Sequence, residues 1–369
     1  MALTAPALPW LSGLLALAIF GAVVLGWPRW RQRWAGGASR AVSILLINGL
    51  VVVTTFLLLN NSYVFYTSWS DLLGTSSLQS ASQHGRPAAD MLRTVSGPSL
   101  AQVAGKRSFQ LPDRGRRLQS YTVNDAATPA RMHVLVYLPA GYRSNSRRRY
   151  PVIIGLHGYP GVPRSFTKLN FLRTADQLTS EHHLAPTIFV MPQINDPDTL
   201  DTECVDGPAG SPQTETWLAS ELPDWVVRHF HVRTDRRSWA TLGYSFGGWC
   251  AAELPMRHPS IFGAGLVFEG YFELDFGRRY APITGAARRP YDLVAIAGDN
   301  PPPVGMWVFS SKQDKLSYPT SSRFVSRAKA PLSVSATVVP TGGHRGSVFE
   351  PYTARALTWL ARNLPGFRA

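Results

Sequence analysis

The sequence predicts an α/β fold, with a mostly parallel central sheet and helices on both faces, preceded by two transmembrane helices. Three observations lead to this prediction. Two long apolar runs occupy the first 63 residues, short apolar segments alternate with helix-like ones over most of the rest, and a serine flanked by glycines follows one of the short segments. Alternating strands and helices are typical of parallel sheets, because a helix usually makes each crossover.

The composition supports a folded domain, and the net charge is also compatible with a nucleic-acid-binding protein. Of the 369 residues, 45% are hydrophobic and 11% aromatic, so the chain can bury a large core. The formal net charge of +14 is also typical of nucleic-acid-binding proteins. The arginines are scattered through loops without a nucleic-acid-binding motif, however. We therefore predict no nucleic-acid partner and expect the basic surface to face anionic lipid or cell-wall polymer.

The N-terminal region, residues 1–63, is predicted to be a membrane anchor with two spans, at about residues 8–27 and 41–60. Each run is about long enough to cross a bilayer as a helix. A cleaved signal peptide is the alternative for the first run. No lysine or arginine precedes that run, whereas signal peptides begin with a charged region.

The charges of the loop between the two runs predict how the protein is oriented in the membrane. It contains arginines and no acidic residue: Arg29, Arg31, Arg33 and Arg40. The positive-inside rule places such a loop in the cytoplasm. The sequence thus predicts a two-span cell-membrane protein whose N-terminus and everything after Tyr63 are extracytoplasmic.

Beyond the anchor, residues 64–107 are predicted to be a linker and residues 108–369 the folded domain. Segments typical of strands occupy 121–123, 132–138, 151–156, 187–191, 239–242, 261–268, 306–310 and 332–339. Helix-like segments occupy 214–229, 247–258, 321–328 and 352–363. Ligands of parallel sheets bind beyond the carboxyl ends of the strands, so the residues that follow each strand are the candidate site residues.

Ser245 lies between the strand-like segment 239–242 and the following helix, with Gly243 two residues before it and Gly247 two residues after it. A nucleophile elbow needs this setting, because the serine occupies a strained turn and small neighbours let strand and helix approach closely. A glycine-rich turn with a surface serine is the alternative. The setting favours Ser245 as a catalytic nucleophile and predicts an α/β-hydrolase fold.

A serine hydroxyl needs a base to remove its proton, and in this fold the order along the chain is serine, acid, histidine. Two histidines follow Ser245. His258 stands at a predicted helix end and is predicted to be structural. His344 follows the last predicted strand, so we predict that it is the general base.

The third member of a triad holds the imidazole in the required tautomer. Asp314, which follows the strand-like segment 306–310, is the predicted acid. Asp299 and Asp292 are the alternatives, and neither follows a predicted strand directly.

An oxyanion needs backbone N–H donors. The predicted donors are Phe246, directly after the nucleophile, and Tyr159, in the loop after segment 151–156. Gly158 is an alternative to Tyr159, and His157 is expected to orient this loop.

Several of these motifs resemble one known family. Leu-His-Gly at 156–158, Gly-Tyr-Ser-Phe-Gly-Gly at 243–248, Phe-Ser-Ser-Lys-Gln-Asp at 309–314 and Gly-Gly-His at 342–344 are similar to motifs of the esterase D-type esterases. This family belongs to the α/β-hydrolase superfamily and includes the mycobacterial mycolyltransferases. The likeness covers about residues 132–364 and implies the same triad of Ser245, Asp314 and His344, in an actinobacterial-type envelope. The two N-terminal spans, and aspartate rather than glutamate at 314, depart from the mycolyltransferases, so mycolyl transfer is not implied.

The two cysteines, Cys204 and Cys250, are predicted to form a disulfide, because an isolated pair outside the cytoplasm is usually oxidised. Two unpaired buried thiols are the alternative. An acidic loop at residues 196–206 lacks the central glycine and terminal glutamate of an EF-hand. We therefore predict no metal site, and we also predict no cofactor.

These inferences predict a membrane-anchored extracytoplasmic serine esterase that hydrolyses carboxylic esters through an acyl-enzyme on Ser245. An acyltransferase that moves the acyl group to a sugar or glycerol hydroxyl is the first alternative. A non-catalytic membrane-bound binding or sensory protein is the second. The expected partners are the membrane and an ester-bearing lipid, glycolipid or small molecule, and the acyl group and the oligomeric state stay open.

Overall fold

The computed structural model describes residues 3–26, 34–74, 82–85, 91, 93, 95–103, 116–124, 131–145, 147–195, 200–277 and 280–369. They form two compact units. The smaller unit comprises Met1–Gln79, Gln313–Leu316 and Pro340–Arg345, and the larger unit comprises Ser80–Lys312, Ser317–Val339 and Gly346–Ala369. Most of the loop used to predict the membrane orientation, residues 27–33, lies outside the described residues, as do Asp196 and Asp198 of the acidic loop.

Among the described residues, a nine-stranded sheet forms the centre of the larger unit. Its strands are β1 (Ser82–Gly85), β2 (Leu118–Asn124), β3 (Arg131–Tyr137), β4 (Val152–Leu156), β5 (Ile188–Pro192), β6 (Trp239–Tyr244), β7 (Ala264–Phe268), β8 (Gly305–Ser311) and β9 (Ser333–Val339). Their spatial order is β1-β9-β8-β7-β6-β4-β5-β3-β2. The six strands from β9 to β5 in that order run parallel, whereas β1, β2 and β3 are antiparallel to their neighbours.

The central strands form because their apolar residues are covered on both faces. Every residue of β4, β5, β7 and β8 is buried, as expected of parallel strands between two helical layers. Aromatic side chains fill part of the space between sheet and helices. The ring of Phe268 in β7, for example, lies 5.1 Å from that of Trp307 in β8 and 5.5 Å from that of Phe349, measured between ring centroids. The predicted α/β-hydrolase fold class is confirmed.

The α-helices of both units follow in chain order. They are α1 (Ala7–Gly26), α2 (Trp34–Tyr63), α3 (Trp69–Leu72), α4 (Pro163–Phe166), α5 (Phe171–Ser180), α6 (Thr214–Thr216), α7 (Leu222–His229), α8 (Phe246–Arg257), α9 (Leu293–Asp299), α10 (Tyr318–Arg327), α11 (Gly346–Phe349) and α12 (Thr353–Asn363). A π-helical turn, Trp217–Glu221, joins α6 to α7.

Strand β1 lies within the segment predicted to be a linker. Its backbone pairs with β9, from Ser82 opposite Val338 to Gly85 opposite Ser335. The residues of β1, Ser-Gln-His-Gly, carry no apolar alternation, so local pattern could not predict a strand there. Strand β9, with which β1 pairs, lies far later in the chain.

In the smaller unit, α1 and α2 pack against each other. The hydroxyl groups of Ser12 and Thr54 lie 2.8 Å apart across this contact. Both helices are long and apolar enough to cross a membrane, and most of their residues are not buried. Large apolar side chains point outward, including Leu14 and Leu45, which are 61% and 71% exposed. Such continuous apolar exposure is typical of a surface that contacts lipid.

Candidate active site

Ser245 occupies a sharp turn between β6 and α8, with φ 57° and ψ −127°. A non-glycine residue with positive φ is uncommon and costs free energy unless its surroundings hold it there. Here the backbone N–H of Ser245 donates to the carbonyl of Phe268 at 3.0 Å. The carbonyl of Ser245 accepts from Gly248 at 2.8 Å and from Trp249 at 3.1 Å. The turn is therefore fixed on both sides by backbone hydrogen bonds.

The glycines around Ser245 are required by close backbone contacts. A Cβ atom on Gly243 would lie 1.9 Å from the carbonyl oxygen of Gly247, and one on Gly247 would lie 2.2 Å from that of Leu156. Both distances are far shorter than van der Waals contact. Strand and helix can therefore meet at this turn only if these positions lack a side chain, which is the physical basis of the Gly-x-Ser-x-Gly pattern.

Phe246 is the first residue of α8, so its backbone N–H belongs to the first turn, whose donors have no partner within the helix. The partial positive charge of a helix N-terminus also favours an anion there. The ring of Tyr159 lies 6.1 Å from that of Phe246, centroid to centroid. The loop after β4 is thus adjacent to the start of α8.

Within the loop after β4, Gly158 packs against the side chain of Tyr244. Burial raises the pKa of Tyr244, and a hydrogen bond from the backbone of Gly158 to its side chain opposes this rise. A Cβ on Gly158 would lie 2.9 Å from the Tyr244 ring. Gly158 therefore lies in close contact with the Tyr244 side chain.

Asp314 and His344 lie together in the smaller unit. His344 Nδ1 is 2.8 Å from Asp314 Oδ2, and Asp314 is fully buried while His344 is 9% exposed. The other carboxylate oxygen, Oδ1, accepts from the backbone N–H of Leu316 at 3.0 Å. With Nδ1 donating to the carboxylate, Nε2 is left as the nitrogen that can accept a proton.

The two alternative acids have other roles. The Asp292 carboxylate caps α9 by accepting from the backbone N–H of Ala295 at 2.9 Å. Asp299 forms an exposed ion pair with Arg327 at 3.1 Å. The Asp292 carboxylate is thus used in helix capping, and the Asp299 carboxylate in a surface ion pair.

His258 lies in a polar cluster elsewhere in the larger unit. Its Nε2 is 2.7 Å from Glu215 Oε1, which also accepts from Arg257 Nε at 2.9 Å. Burial raises the pKa of Glu215, but hydrogen bonds from His258, Arg257 and Tyr291 outweigh this and lower it to about 2. Glu215, Glu253 and His258 are close enough to share a metal ion. Arg257 Nε is also 2.9 Å from Glu253 Oε1, and burial raises the pKa of Glu253 well above its ordinary value.

Cys204 and Cys250 form a disulfide with an S–S distance of 2.02 Å. It joins the loop after β5 to α8, the helix that follows the nucleophile. The indole Nε1 of Trp249 also donates to the carbonyl of Glu203 at 2.8 Å. Two neighbouring contacts thus fasten this loop to α8.

The sequence pattern does not predict the buried carboxylates of the larger unit, which include Glu203 and Glu269 as well as Glu215 and Glu253. Glu203 accepts from the Tyr271 hydroxyl at 2.5 Å, and burial, followed by the nearby charge of Asp201, raises its pKa well above the ordinary range. Glu269 directly follows β7, has φ 48° and is 1% exposed. The acidic loop and the strand exit were visible in the sequence, but burial of these side chains depends on long-range packing.

Comparison with known proteins places the chain in a family. Residues 126–362 match the Putative esterase family. The chain is 28% identical over 243 residues to an uncharacterized protein of Corynebacterium glutamicum, covering 61% of this chain and 56% of the relative. It is 27% identical over 175 residues to an esterase of Mycobacterium tuberculosis, covering 47% of this chain and 37% of that protein. The chain thus spans only about half, or less, of the length of these relatives.

Solved structures show the same fold at low sequence identity. A ferulic acid esterase superposes with a TM-score of 0.56 at 17% identity, covering 67% of this chain and 97% of that one. An S-formylglutathione hydrolase from Agrobacterium tumefaciens gives the same TM-score and identity, covering 67% and 94% of the two chains. These likenesses establish the fold, and the family match covers more than half of the chain. The chain therefore belongs to the Putative esterase family.

Proposed function

We propose that the protein is a serine esterase that hydrolyses carboxylic esters through an acyl-enzyme on Ser245, with Asp314 and His344 completing the triad. The observation that carries this proposal is the strained conformation of Ser245 in a turn fixed by backbone contacts. Strain of this kind is kept in proteins mainly where function requires it. Membership of an esterase family supports ester bonds as the target.

The order of strands in the sheet supports the assignment of all three residues. Ser245 follows β6, Asp314 follows β8 and His344 follows β9 by a few residues each. Strands β6, β7, β8 and β9 are consecutive parallel neighbours. The chain therefore leaves β6, β8 and β9 at the same edge of the sheet, where parallel sheets place their sites.

In the acylation half-reaction, the Ser245 hydroxyl oxygen attacks the ester carbonyl carbon while His344 Nε2 takes its proton. The carbonyl oxygen becomes an oxyanion, which the N–H groups of Phe246 and Tyr159 stabilise. Collapse of this intermediate breaks the bond to the alcohol oxygen, and His344 returns the proton to that oxygen. Asp314 stabilises the transient imidazolium through Nδ1.

In the deacylation half-reaction, water attacks the acyl-enzyme carbonyl carbon and gives a proton to His344. The bond to the Ser245 oxygen then breaks, and the proton moves from His344 to that oxygen. The products are the carboxylic acid and free enzyme. If a sugar or glycerol hydroxyl attacks instead of water, the same steps give a new ester.

We also propose that α1 and α2 anchor the protein in the cell membrane with its N-terminus and catalytic residues outside the cytoplasm. The arginine-rich, acid-free loop between the helices supports this orientation. The Cys204–Cys250 disulfide supports it independently, because disulfides persist in oxidising compartments.

A fluorophosphonate probe tests the proposed nucleophile. The full-length protein in detergent should be labelled at Ser245, and Ser245→Ala should not be labelled although it folds with unchanged thermal stability. Equal labelling of the two proteins, or none of either, would exclude a serine nucleophile at this position. No labelling of wild type would favour the non-catalytic alternative.

A second assay separates hydrolysis from transfer. A chromogenic ester is supplied with and without glycerol or a sugar as acceptor, and the products are identified by mass spectrometry. Free acid as the main product in both conditions is expected of the esterase. A shift to the acceptor ester would instead identify an acyltransferase.

A further inference from the structure

The loop that carries His344, Pro340–Arg345, is bound by the residues that directly follow α2. We call Pro340–Arg345 the base loop and residues 64–71 the exit segment. The backbone N–H of His344 donates to the carbonyl of Val64 at 3.0 Å. Val64 is the first residue after α2, so the proposed catalytic base is hydrogen-bonded to the end of the second apolar helix.

The exit segment is itself held in a defined conformation by α2. Asn60, which is 1% exposed, binds the backbone of Tyr66 twice: its side-chain oxygen accepts from the Tyr66 N–H at 2.8 Å, and its amide nitrogen donates to the Tyr66 carbonyl at 2.9 Å. Val64 has φ 51°. The chain therefore turns sharply after the helix and does not continue as a free linker.

Gly343 allows the base loop to approach the exit segment closely. A Cβ atom on Gly343 would lie 2.1 Å from the carbonyl oxygen of Phe65 and 2.3 Å from that of Val64. The two backbones can reach this distance only with glycine at this position. In the sequence, Gly343 is part of the Gly-Gly-His motif, and this contact gives the motif a physical reason.

Arg345 makes the strongest polar contact between the two segments. Its guanidinium binds the Asp71 carboxylate in a bidentate manner, with Nη1 2.9 Å from Oδ2 and Nη2 bonded to Oδ1, and Nη1 also donates to the Phe65 carbonyl. The side chains of Arg345 and Asp71 are 19% and 5% exposed. Bidentate, desolvated pairs fix geometry more firmly than exposed ones.

Asp71 is also fixed from its own side. Its carboxylate accepts from the backbone N–H of Thr67 at 2.9 Å, and its backbone N–H donates to the Ser68 hydroxyl at 3.1 Å. Burial by itself raises the pKa of Asp71, but hydrogen bonds from Arg345 and Thr67 and the charge of Arg345 bring it below its ordinary value. Asp71 is therefore an ionised anchor for Arg345.

We propose that Asp71 and Arg345 are positioning residues, through which the exit segment fixes the base loop and the imidazole of His344, the proposed base. This inference rests on the proposed triad. The backbone of His344 is fixed by Val64 on one side and by Arg345 on the other, so loss of the Asp71–Arg345 pair frees the base loop to shift. A displacement of about 1 Å at a catalytic group costs about 100-fold in rate.

The test measures turnover of a chromogenic ester by the full-length protein in detergent, for Asp71→Asn, Arg345→Gln and the conservative Asp71→Glu. We expect kcat per folded molecule to fall about 10- to 100-fold in the first two, with KM changed less than about twofold. Asp71→Glu keeps the charge and should recover most of the rate. The folded fraction is measured by circular dichroism.

A matched control removes another bidentate pair. Arg117, directly before β2, binds Asp176 of α5 with Nη1 2.7 Å from Oδ2, and the two side chains are 35% and 38% exposed. Asp176→Asn should leave kcat within about twofold of wild type. The proposal is overturned if Asp71→Asn and Arg345→Gln keep wild-type kcat per folded molecule, or if Asp176→Asn loses as much as they do.

The outcome also distinguishes this inference from the proposed function. If Ser245→Ala retains turnover, the triad is wrong. If Ser245→Ala is inactive while Asp71→Asn turns over like wild type, the triad stands and the positioning role is wrong.

Discussion

The turn at Ser245 and the base loop at His344 are held in place by different means. The Ser245 turn is fixed by contacts of its own glycines with neighbouring backbone, and the pattern that encodes it is five residues long. The base loop is fixed by Val64, Phe65 and Asp71, which lie far earlier in the chain. Within the proposed triad, a local pattern therefore identifies the nucleophile, although Leu156 and Phe268 also hold its turn. The base loop contacts a segment for which the sequence predicts a linker.

The largest expected effect comes from removing the proposed base, His344, or its partner Asp314. His344→Ala should lower kcat about 10⁶-fold, and Asp314→Asn about 10⁴-fold, because the aspartate orients the imidazole but does not itself take the serine proton. The measurement is steady-state hydrolysis of a soluble ester by full-length protein.

The matched control for the acid is Asp299→Asn, since Asp299 is the exposed partner of Arg327. It should retain wild-type kcat. A loss at Asp299 as large as that at Asp314 would contradict the assignment of the acid.

The disulfide next to the nucleophile helix has the next largest expected effect. Cys204 and Cys250 are 46 residues apart in the sequence, and cross-linking a loop of this size stabilises the folded state by about 4 kcal/mol. The double variant Cys204→Ser with Cys250→Ser should lose stability of that order in denaturant unfolding. Wild-type protein treated with reductant should show the same loss, and unchanged stability of both would show that the cross-link contributes little.

The local encoding of the nucleophile is tested at Gly247. Gly247→Ala places a methyl group 2.2 Å from the Leu156 carbonyl oxygen, so the strand and the helix must separate, at a cost of about 3 kcal/mol. Thermal unfolding measures this loss. The control Gly277→Ala has its nearest neighbour 3.9 Å away and should be close to wild type. Equal stability of the two variants would refute the close-contact explanation.

The smallest expected effect is a difference in how stability depends on pH at Asp201, near the disulfide, and at Asp71, in the exit segment. Burial raises the pKa of Asp201, beside the disulfide, from 3.8 to about 6, so the folded state keeps a proton that the unfolded chain has lost. Stability therefore falls as pH rises from about 4 to 6. Asp201→Asn should remove this fall. The free energy of unfolding of the variant minus that of wild type should be about 2 kcal/mol larger at pH 7.5 than at pH 4.

The Asp71 carboxylate in the exit segment should behave in the opposite sense. Its folded-state pKa is lowered below 3.8, so its stabilising contribution is present above that pH and is lost as pH falls through the lowered value. Asp71→Asn should therefore weaken the loss of stability at acid pH. The same sign of pH dependence in Asp201→Asn and Asp71→Asn would contradict this contrast.

Much of the fold could be predicted from sequence, because the central strands are continuous apolar runs that need no knowledge of their partners. Segments 151–156 and 187–191 became β4 and β5 with shifts of one residue. Strand β1 could not be predicted, since its four residues are polar or glycine and its backbone pairs with β9, far later in the chain.

In the candidate site, too, features set by local sequence could be predicted and features set by distant contacts could not. The Gly-x-Ser-x-Gly spacing predicts a specific backbone conformation at Ser245, and chain order together with position after a predicted strand selects Asp314 and His344 as candidates. The contact of Arg345 with Asp71 could not be predicted, because it joins two short segments separated by the entire sheet-forming region of the chain. Burial of Glu203 was invisible for the same reason, since its partner Tyr271 is distant in sequence.

The central claim, covalent catalysis by Ser245, is tested most directly by trapping the acyl-enzyme. Full-length protein is mixed rapidly with an activated ester, quenched in acid, digested and analysed by mass spectrometry. We predict a burst of about one alcohol per protein molecule and an acyl group on the peptide that contains Ser245. Steady turnover with no acyl group on Ser245, or with the acyl group on another residue, would contradict the claim.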